Sequence, residues 1–134
     1  MVRRVPCVGA IMTDPDGRLL LIRRGHDPGA GLWSVPGGRV ERGETDAEAV
    51  IREISEETGL LVRPGGLIGS VERPGTDPGT VYAIRDYAAE VIGGTLAAGD
   101  DADAARWVTR EELDDLPLTP GLAEALTEWG VLPG

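Results

Sequence analysis

The chain contains no lysine and no phenylalanine, and has one cysteine and one histidine. Cys7 therefore has no intramolecular disulfide partner, and no zinc cluster can be assembled from cysteines. With three Trp and two Tyr as the only aromatics, the core must be built from aliphatic side chains. No apolar run approaches the ~18 residues of a membrane span. Arg3 and Arg4 precede an apolar stretch that is broken too early for a secretory signal, so a cytoplasmic protein is expected. Positive charge is also scarce: the formal net charge is −10. That balance argues against a nucleic-acid polymer or an anionic membrane as partner. All the cations are arginines, the side chain suited to bidentate phosphate contacts, although biased genome composition would produce the same pattern.

At 134 residues and 41% hydrophobic, the chain suits one globular domain spanning residues 1–134, without repeats or a linker. Val5 to Thr13 and Arg18 to Arg24 are apolar, β-prone runs joined by Asp14-Pro15-Asp16-Gly17, which predicts a β-hairpin. A Gly/Pro-rich loop follows. Leu32 to Val35 reads as a short strand stopped by Pro36-Gly37-Gly38, and Arg39 to Glu44 as a turn. Leu60 to Arg63, Leu67 to Glu72, Thr80 to Ile92 and Ala105 to Val108 read as strands. Thr109 with Glu112 predicts a short helix to about Asp115. Thr119-Pro120 predicts the start of a last helix with Leu122, Ala125, Leu126 and Trp129 on one face. Strands around one mid-chain helix, with a helical tail, imply an α/β or α+β layered fold.

The clearest helix spans Asp46 to Thr58. Thr45 and Glu48 form a capping box at its start, and Gly59 supplies a left-handed stop. Its periodicity places Ala47, Val50, Ile51, Ile54 and Thr58 on a core-facing arc, with Glu53, Glu56 and Glu57 on the adjoining arc. The i,i+3 and i,i+4 glutamate pairs cost roughly 0.2–0.5 kcal/mol each. Two of the three glutamates also lie in the last turn, where the helix dipole favours cations. Such an arrangement suits either a solvated acidic face or a site for a hard divalent cation such as Mg²⁺, which takes oxygen ligands. No EF-hand loop is present, which argues against a calcium buffer.

Gly38, then Glu44 after five residues, then Arg52-Glu53-Ile54-Ser55-Glu56-Glu57-Thr58-Gly59-Leu60 after seven more, match the Nudix box at each fixed position. The chain thus resembles the Nudix hydrolases, in the short MutT-like or ADP-ribose-pyrophosphatase-like group. The resemblance implies an α/β/α sandwich around a mixed sheet, with the box as loop-helix-loop. It implies Glu53, Glu56 and Glu57 as metal ligands and catalytic carboxylates for Mg²⁺ or Mn²⁺, with the carbonyl of Gly38 as a further ligand. Arg52 would orient the carboxylates while Glu44 braces the loop, and Gly37 and Gly59 support the motif's backbone. The implied activity is hydrolysis of a phosphoanhydride in a nucleoside diphosphate derivative, by water attack at phosphorus. A nucleoside triphosphate or oxidised dNTP, ADP-ribose and a nucleotide sugar remain alternative substrates, and Pro74 hints at ADP-ribose. A non-catalytic domain that binds a nucleotide metabolite for regulation is the competing function. Many relatives form dimers, so a monomer or a homodimer is expected.

Outside the box, the resemblance to MutT-like enzymes makes Asp101 a further candidate metal ligand or base, with Asp100 and Asp103 as competitors and a solvated acidic loop as the alternative. One of Arg23 and Arg24 should face the phosphate site, because side chains alternate along a strand. Trp33 is either a stacking surface for a base or partial core. His26 is a loop residue, and Cys7 is core.

Overall fold

The structure is a computed structural model and describes residues 1–27, 29–99 and 102–134. Among the described residues, seven strands form two sheets. The larger takes β1 (Arg3–Ile11), β4 (Gly37–Arg39), β5 (Leu60–Pro74) and β6 (Thr80–Gly94) in the order β4-β1-β6-β5. The smaller takes β2 (Leu19–Arg24), β3 (Trp33–Ser34) and β7 (Ala102–Val108) in the order β3-β2-β7. β1 runs parallel to β6 and antiparallel to β4, so the larger sheet is mixed.

The strands alternate between two apolar layers. Val8, Ala10, Met12 and Leu20 pack with Ala49, Val50 and Ile54 of helix α1 (Asp46–Thr58). Ile11, Leu19 and Leu21 pack on the other side with Leu113 of α2 (Arg110–Asp115) and with Leu122 and Leu126 of α3 (Leu122–Glu128). Neighbouring residues of one strand thus feed opposite cores, the signature of a β layer covered by helices on both faces. The α/β/α sandwich expected from the motif is the observed architecture.

Several local expectations change. The β1–β2 turn is present: Asp14 accepts from the backbone of Asp16 and Arg18, and Gly17 closes it at φ 77°. Only the Thr13–Leu19 bridge continues it, however, and the strands then enter different sheets, so they do not form a hairpin. Both edges of β1 are already taken by β4 and β6. Gly37 and Gly38 do not end a strand; they form β4. A Cβ on Gly37 would collide with the Val8 carbonyl, so this close pairing needs glycine. The two predicted strands after the helix are one long edge strand, β5. Irregular register around Pro64 to Leu67 absorbs the Pro64-Gly65-Gly66 interruption, which an edge strand tolerates. The last helix begins at Leu122, after Gly121 at φ 84°. Trp129 closes it, with its ring over Gly69, where any Cβ would collide.

α1 matches its expected ends, with both capping-box bonds present and Gly59 at φ 75°. Its buried arc differs: Ala49, Val50, Ile54, Glu57 and Thr58 are buried, whereas Ala47 and Ile51 face solvent. Asp46 helps fix that rotation. It accepts from Arg85 of β6 at 2.6 and 2.7 Å and from the Tyr87 hydroxyl, clamping the first turn to the sheet. The Arg85 guanidinium holds the Asp46 carboxyl below its ordinary pKa.

Candidate active site

The rotation of α1 carries Glu53 and Glu57 inward. They line a cleft of about 390 Å³ together with Gly37, Gly38, Cys7 and Arg24. The Gly37 amide donates to Glu57 Oε1 at 2.8 Å, and Glu57 is only 8% exposed. A Cβ on Gly38 would occupy the space of the Glu53 carboxylate. The paired glycines therefore let a strand edge and two carboxylates approach one another closely.

Arg52 connects this wall. Nε and Nη2 hold Glu44 at 2.7 and 2.9 Å, Nη1 reaches Glu53 at 2.7 Å and Glu56 at 3.3 Å, and Nη2 also donates to the Arg39 carbonyl at 2.9 Å. The Arg52 hydrogen bonds, with help from the Glu41 amide, hold the Glu44 carboxyl down at a pKa of about 2. The same bonds push the Arg52 pKa further up, so the guanidinium stays charged.

Glu56 does not join the other two. Its side chain is 60% exposed and turns toward Arg52. Among the described residues, no three His, Cys, Asp or Glu side chains converge closely enough to hold a metal ion. The expected convergence is thus seen for the pair Glu53 and Glu57, with Glu56 drawn outward by the guanidinium.

Arg24, not Arg23, faces the cleft. Arg23 pairs with Asp103 at 2.5 Å and lies over the Trp33 ring. Trp33 is 6% exposed, within the second core and flanked by Arg23 and Arg106, so it packs as core and offers no face to a base. Asp100 and Asp101 lie outside the described residues; Asp103 is engaged by Arg23. The segment leading to them is held against the end of α1, where the Ala97 and Gly99 amides donate to the carbonyls of Thr58 and Glu57. His26 is exposed at the cleft rim, with Nδ1 3.0 Å from the Asp27 carbonyl. Cys7 is buried at the cleft floor, and burial pushes its thiol pKa up, which disfavours the thiolate a nucleophile needs.

Three features escaped the sequence reading. Arg39 and Tyr82 line the cleft, with the guanidinium 5.4 Å above the ring and Nη2 3.1 Å from the hydroxyl. A second, more apolar cavity of about 370 Å³ shares Arg24 and Tyr82 with the first and is completed by Leu32, Arg73, Pro74 and Pro120. These residues meet only through the β1–β6 and β5–β6 pairings and the return of the chain at Pro120, so no local spacing connects them. The third is Asp86, buried in β6 with Oδ1 lacking a hydrogen-bond partner.

The oxygen-rich wall, the glycine cradle and the Arg52 connector are built from the box residues. Residues 3–129 match the NUDIX domain. The chain belongs to the Nudix family. The ADP-ribose pyrophosphatase of Methanocaldococcus jannaschii is 46% identical over 105 residues, covering 78% of this chain and 60% of that protein. The putative 8-oxo-dGTP diphosphatase 2 of Mycobacterium tuberculosis is 36% identical over 124 residues, covering 90% of this chain and 83% of that one. The MutT protein of Methanosarcina mazei Go1 superimposes with a TM-score of 0.81 at 26% identity, covering 96% of this chain and 94% of its own. In this Nudix chain the described site lies where β2, β4, β6 and α1 meet.

Proposed function

We propose that this Nudix domain is a divalent-cation-dependent pyrophosphohydrolase acting on a nucleoside diphosphate derivative, with ADP-ribose the foremost substrate. The carrying observation is the pair Glu53 and Glu57, set in a cleft against Gly37 and Gly38 and tied to Glu44 through Arg52. The similarity to an archaeal ADP-ribose pyrophosphatase supports the choice of ADP-ribose.

The donor set fits a hard cation. Two carboxylates face a backbone stretch with no Cβ to block it, and Glu57 is nearly buried at the cleft wall, with carboxylate oxygens of the kind a hard divalent cation takes as ligands. Glu53, Glu57 and the Gly38 carbonyl would hold Mg²⁺ or Mn²⁺, with Glu56 joining by exchange of its exposed 3.3 Å contact to Arg52. Such an ion neutralises phosphate oxygens and makes water a better nucleophile at neutral pH.

The protein's own groups then divide the work. Arg52 orients the Glu53 carboxylate through its Nη1 hydrogen bond. A carboxylate of the cluster accepts the proton of the attacking water. Arg24, shared by both cavities, offsets charge on the diphosphate. The apolar cavity beyond Tyr82 accommodates the organic part of the substrate. Direct attack by water agrees with the protonated, buried thiol of Cys7.

The test is a panel of ADP-ribose, dGTP, 8-oxo-dGTP, diadenosine polyphosphates and nucleotide sugars with Mg²⁺ or Mn²⁺, read by product release. ADP-ribose is expected to give AMP and ribose 5-phosphate with the highest kcat/KM. Preference for 8-oxo-dGTP would overturn the substrate assignment. Absence of turnover across the panel would leave a nucleotide-binding domain instead.

A further inference from the structure

The sequence leaves the end of α1 without its usual compensation. The last turn carries Glu56 and Glu57 and no basic residue, so two negative side chains sit against the negative end of the helix dipole. The last carbonyls of a helix also lack partners within it. Gly59 caps the Ser55 carbonyl, and the chain returning from β6 supplies the next donors. The Gly99 amide donates to the Glu57 carbonyl at 2.9 Å, and the Ala97 amide to the Thr58 carbonyl at 2.8 Å. Residues 95–99 thus lie as a strap across the end of the helix that carries the cleft carboxylates.

The strap lies very close to the helix. A Cβ on Gly99 would overlap the Glu56 carbonyl oxygen and come within 3.0 Å of the Glu57 Cα. Gly99 has no positive φ, so glycine serves proximity there and not backbone conformation. At its other end Glu57 is held by the Gly37 amide, 2.8 Å from Oε1. Two glycine amides therefore hold this one residue, through its backbone and through its carboxylate, each where a Cβ would collide. A nearly buried side chain follows its helix end, and the strap sets where that end lies. We propose that the strap, through the Gly99 amide, positions Glu57 so that its carboxylate seats on Gly37 beside Glu53. This assignment rests on the hydrolase reading of the cleft and adds to it a positioning residue outside the Nudix box. Such coupling is reciprocal: whatever fixes the Glu57 carboxylate must also tighten the strap.

Gly99→Ala is the test, and the Gly37 amide is its reporter. By NMR of the metal-free protein, the Gly37 N–H resonance should shift and its hydrogen exchange quicken in the variant, because its acceptor is displaced. Calorimetric Mg²⁺ affinity should fall about tenfold to a hundredfold, the usual cost of losing a contact that supports a metal ligand. kcat should fall by a similar factor while KM changes far less, since the substrate's own contacts stay in place. Thr45→Ala weakens the same helix at its opposite end and controls for stability. Its Gly37 resonance, Mg²⁺ affinity and kcat should match the parent's. In the parent, bound Mg²⁺ should slow exchange of the Gly99 amide, a measurement that holds even where Gly99→Ala folds poorly. A Gly37 resonance unmoved by Gly99→Ala, equal effects in Thr45→Ala, or Gly99 exchange that bound Mg²⁺ leaves unchanged would overturn the assignment. If the substrate panel shows no turnover while Gly99→Ala moves the Gly37 resonance, the hydrolase reading falls and the role of the strap stands.

Discussion

At the scale of single residues, Glu57 and Asp86 are two buried carboxyls placed to opposite effect. Glu57 faces the cleft and receives the Gly37 amide. Its isosteric variant Glu57→Gln should lower kcat by several orders of magnitude, while the melting temperature holds or rises because a buried charge is gone. Near-parental turnover in that variant would remove Glu57 from the catalytic set. Asp86 lies away from the cleft, fitted into the space that Gly9 leaves without a Cβ, and burial pushes its pKa up to about 6. The unfolded chain releases this proton near pH 4, whereas the folded protein keeps it until about pH 6. Stability therefore falls as pH rises through that window and stays lowered above it, by about 3 kcal/mol. Asp86→Asn should flatten the slope and stabilise the protein near neutral pH by about 1–3 kcal/mol, measured by urea unfolding on both sides of the window. Identical pH profiles for the two proteins would contradict the burial assignment.

At the scale of elements, α1 was legible almost in full because its signals are local. The capping box, the glycine stop and the glutamate spacing sit within one segment, and each is present in the structure. Thr45→Ala should cost about 1 kcal/mol of stability. Gly59→Ala should cost more, since φ is positive and the Thr95 carbonyl occupies the Cβ space. Denaturant midpoints check both, and a smaller loss for Gly59→Ala than for Thr45→Ala would sink the ranking. The rotation of the helix was not legible. Periodicity favoured burying Ala47 and Ile51, but the Asp46–Arg85–Tyr87 clamp comes from a distant strand, and it accompanies a turn that buries Glu57. Strand partners were equally hidden. A turn sequence fixes the Asp14–Gly17 reversal, but only pairing with β6 and β4 draws β1 away from β2. Arg23 and Arg24 could be separated by alternation, though not assigned, until Asp103 took one of them.

At the scale of the whole molecule, a net charge of −10 and an inward-facing glutamate pair predict that divalent cations stabilise the fold. Magnesium at a hundredfold excess over its Kd should stabilise the fold by about 2.7 kcal/mol, and EDTA should reverse the effect. Thermal unfolding with and without the ion reads this directly, and coincident curves would count against a metal centre. The layered architecture supplies the frame: helices on both faces fix the sheets, and the cleft opens where the end of β2, the edge strand β4 and the start of β6 come together. Composition and patterning indicated the class of this architecture, and the motif indicated its family. The second cavity, formed by residues spread from Arg24 to Pro120, depends on the complete chain path.

One guanidinium joins three separate pieces of chain: a strand through the Arg39 carbonyl, a loop through Glu44 and a helix through Glu53. The planar fork of arginine donates five hydrogen bonds here, two to Glu44 and one each to Glu53, Glu56 and the Arg39 carbonyl, whereas a lysine ammonium has three protons on a single nitrogen. The stretch from Gly38 to Gly59 should accordingly move as a single cassette, and Arg52→Lys would uncouple its parts while leaving every carboxylate in the chain.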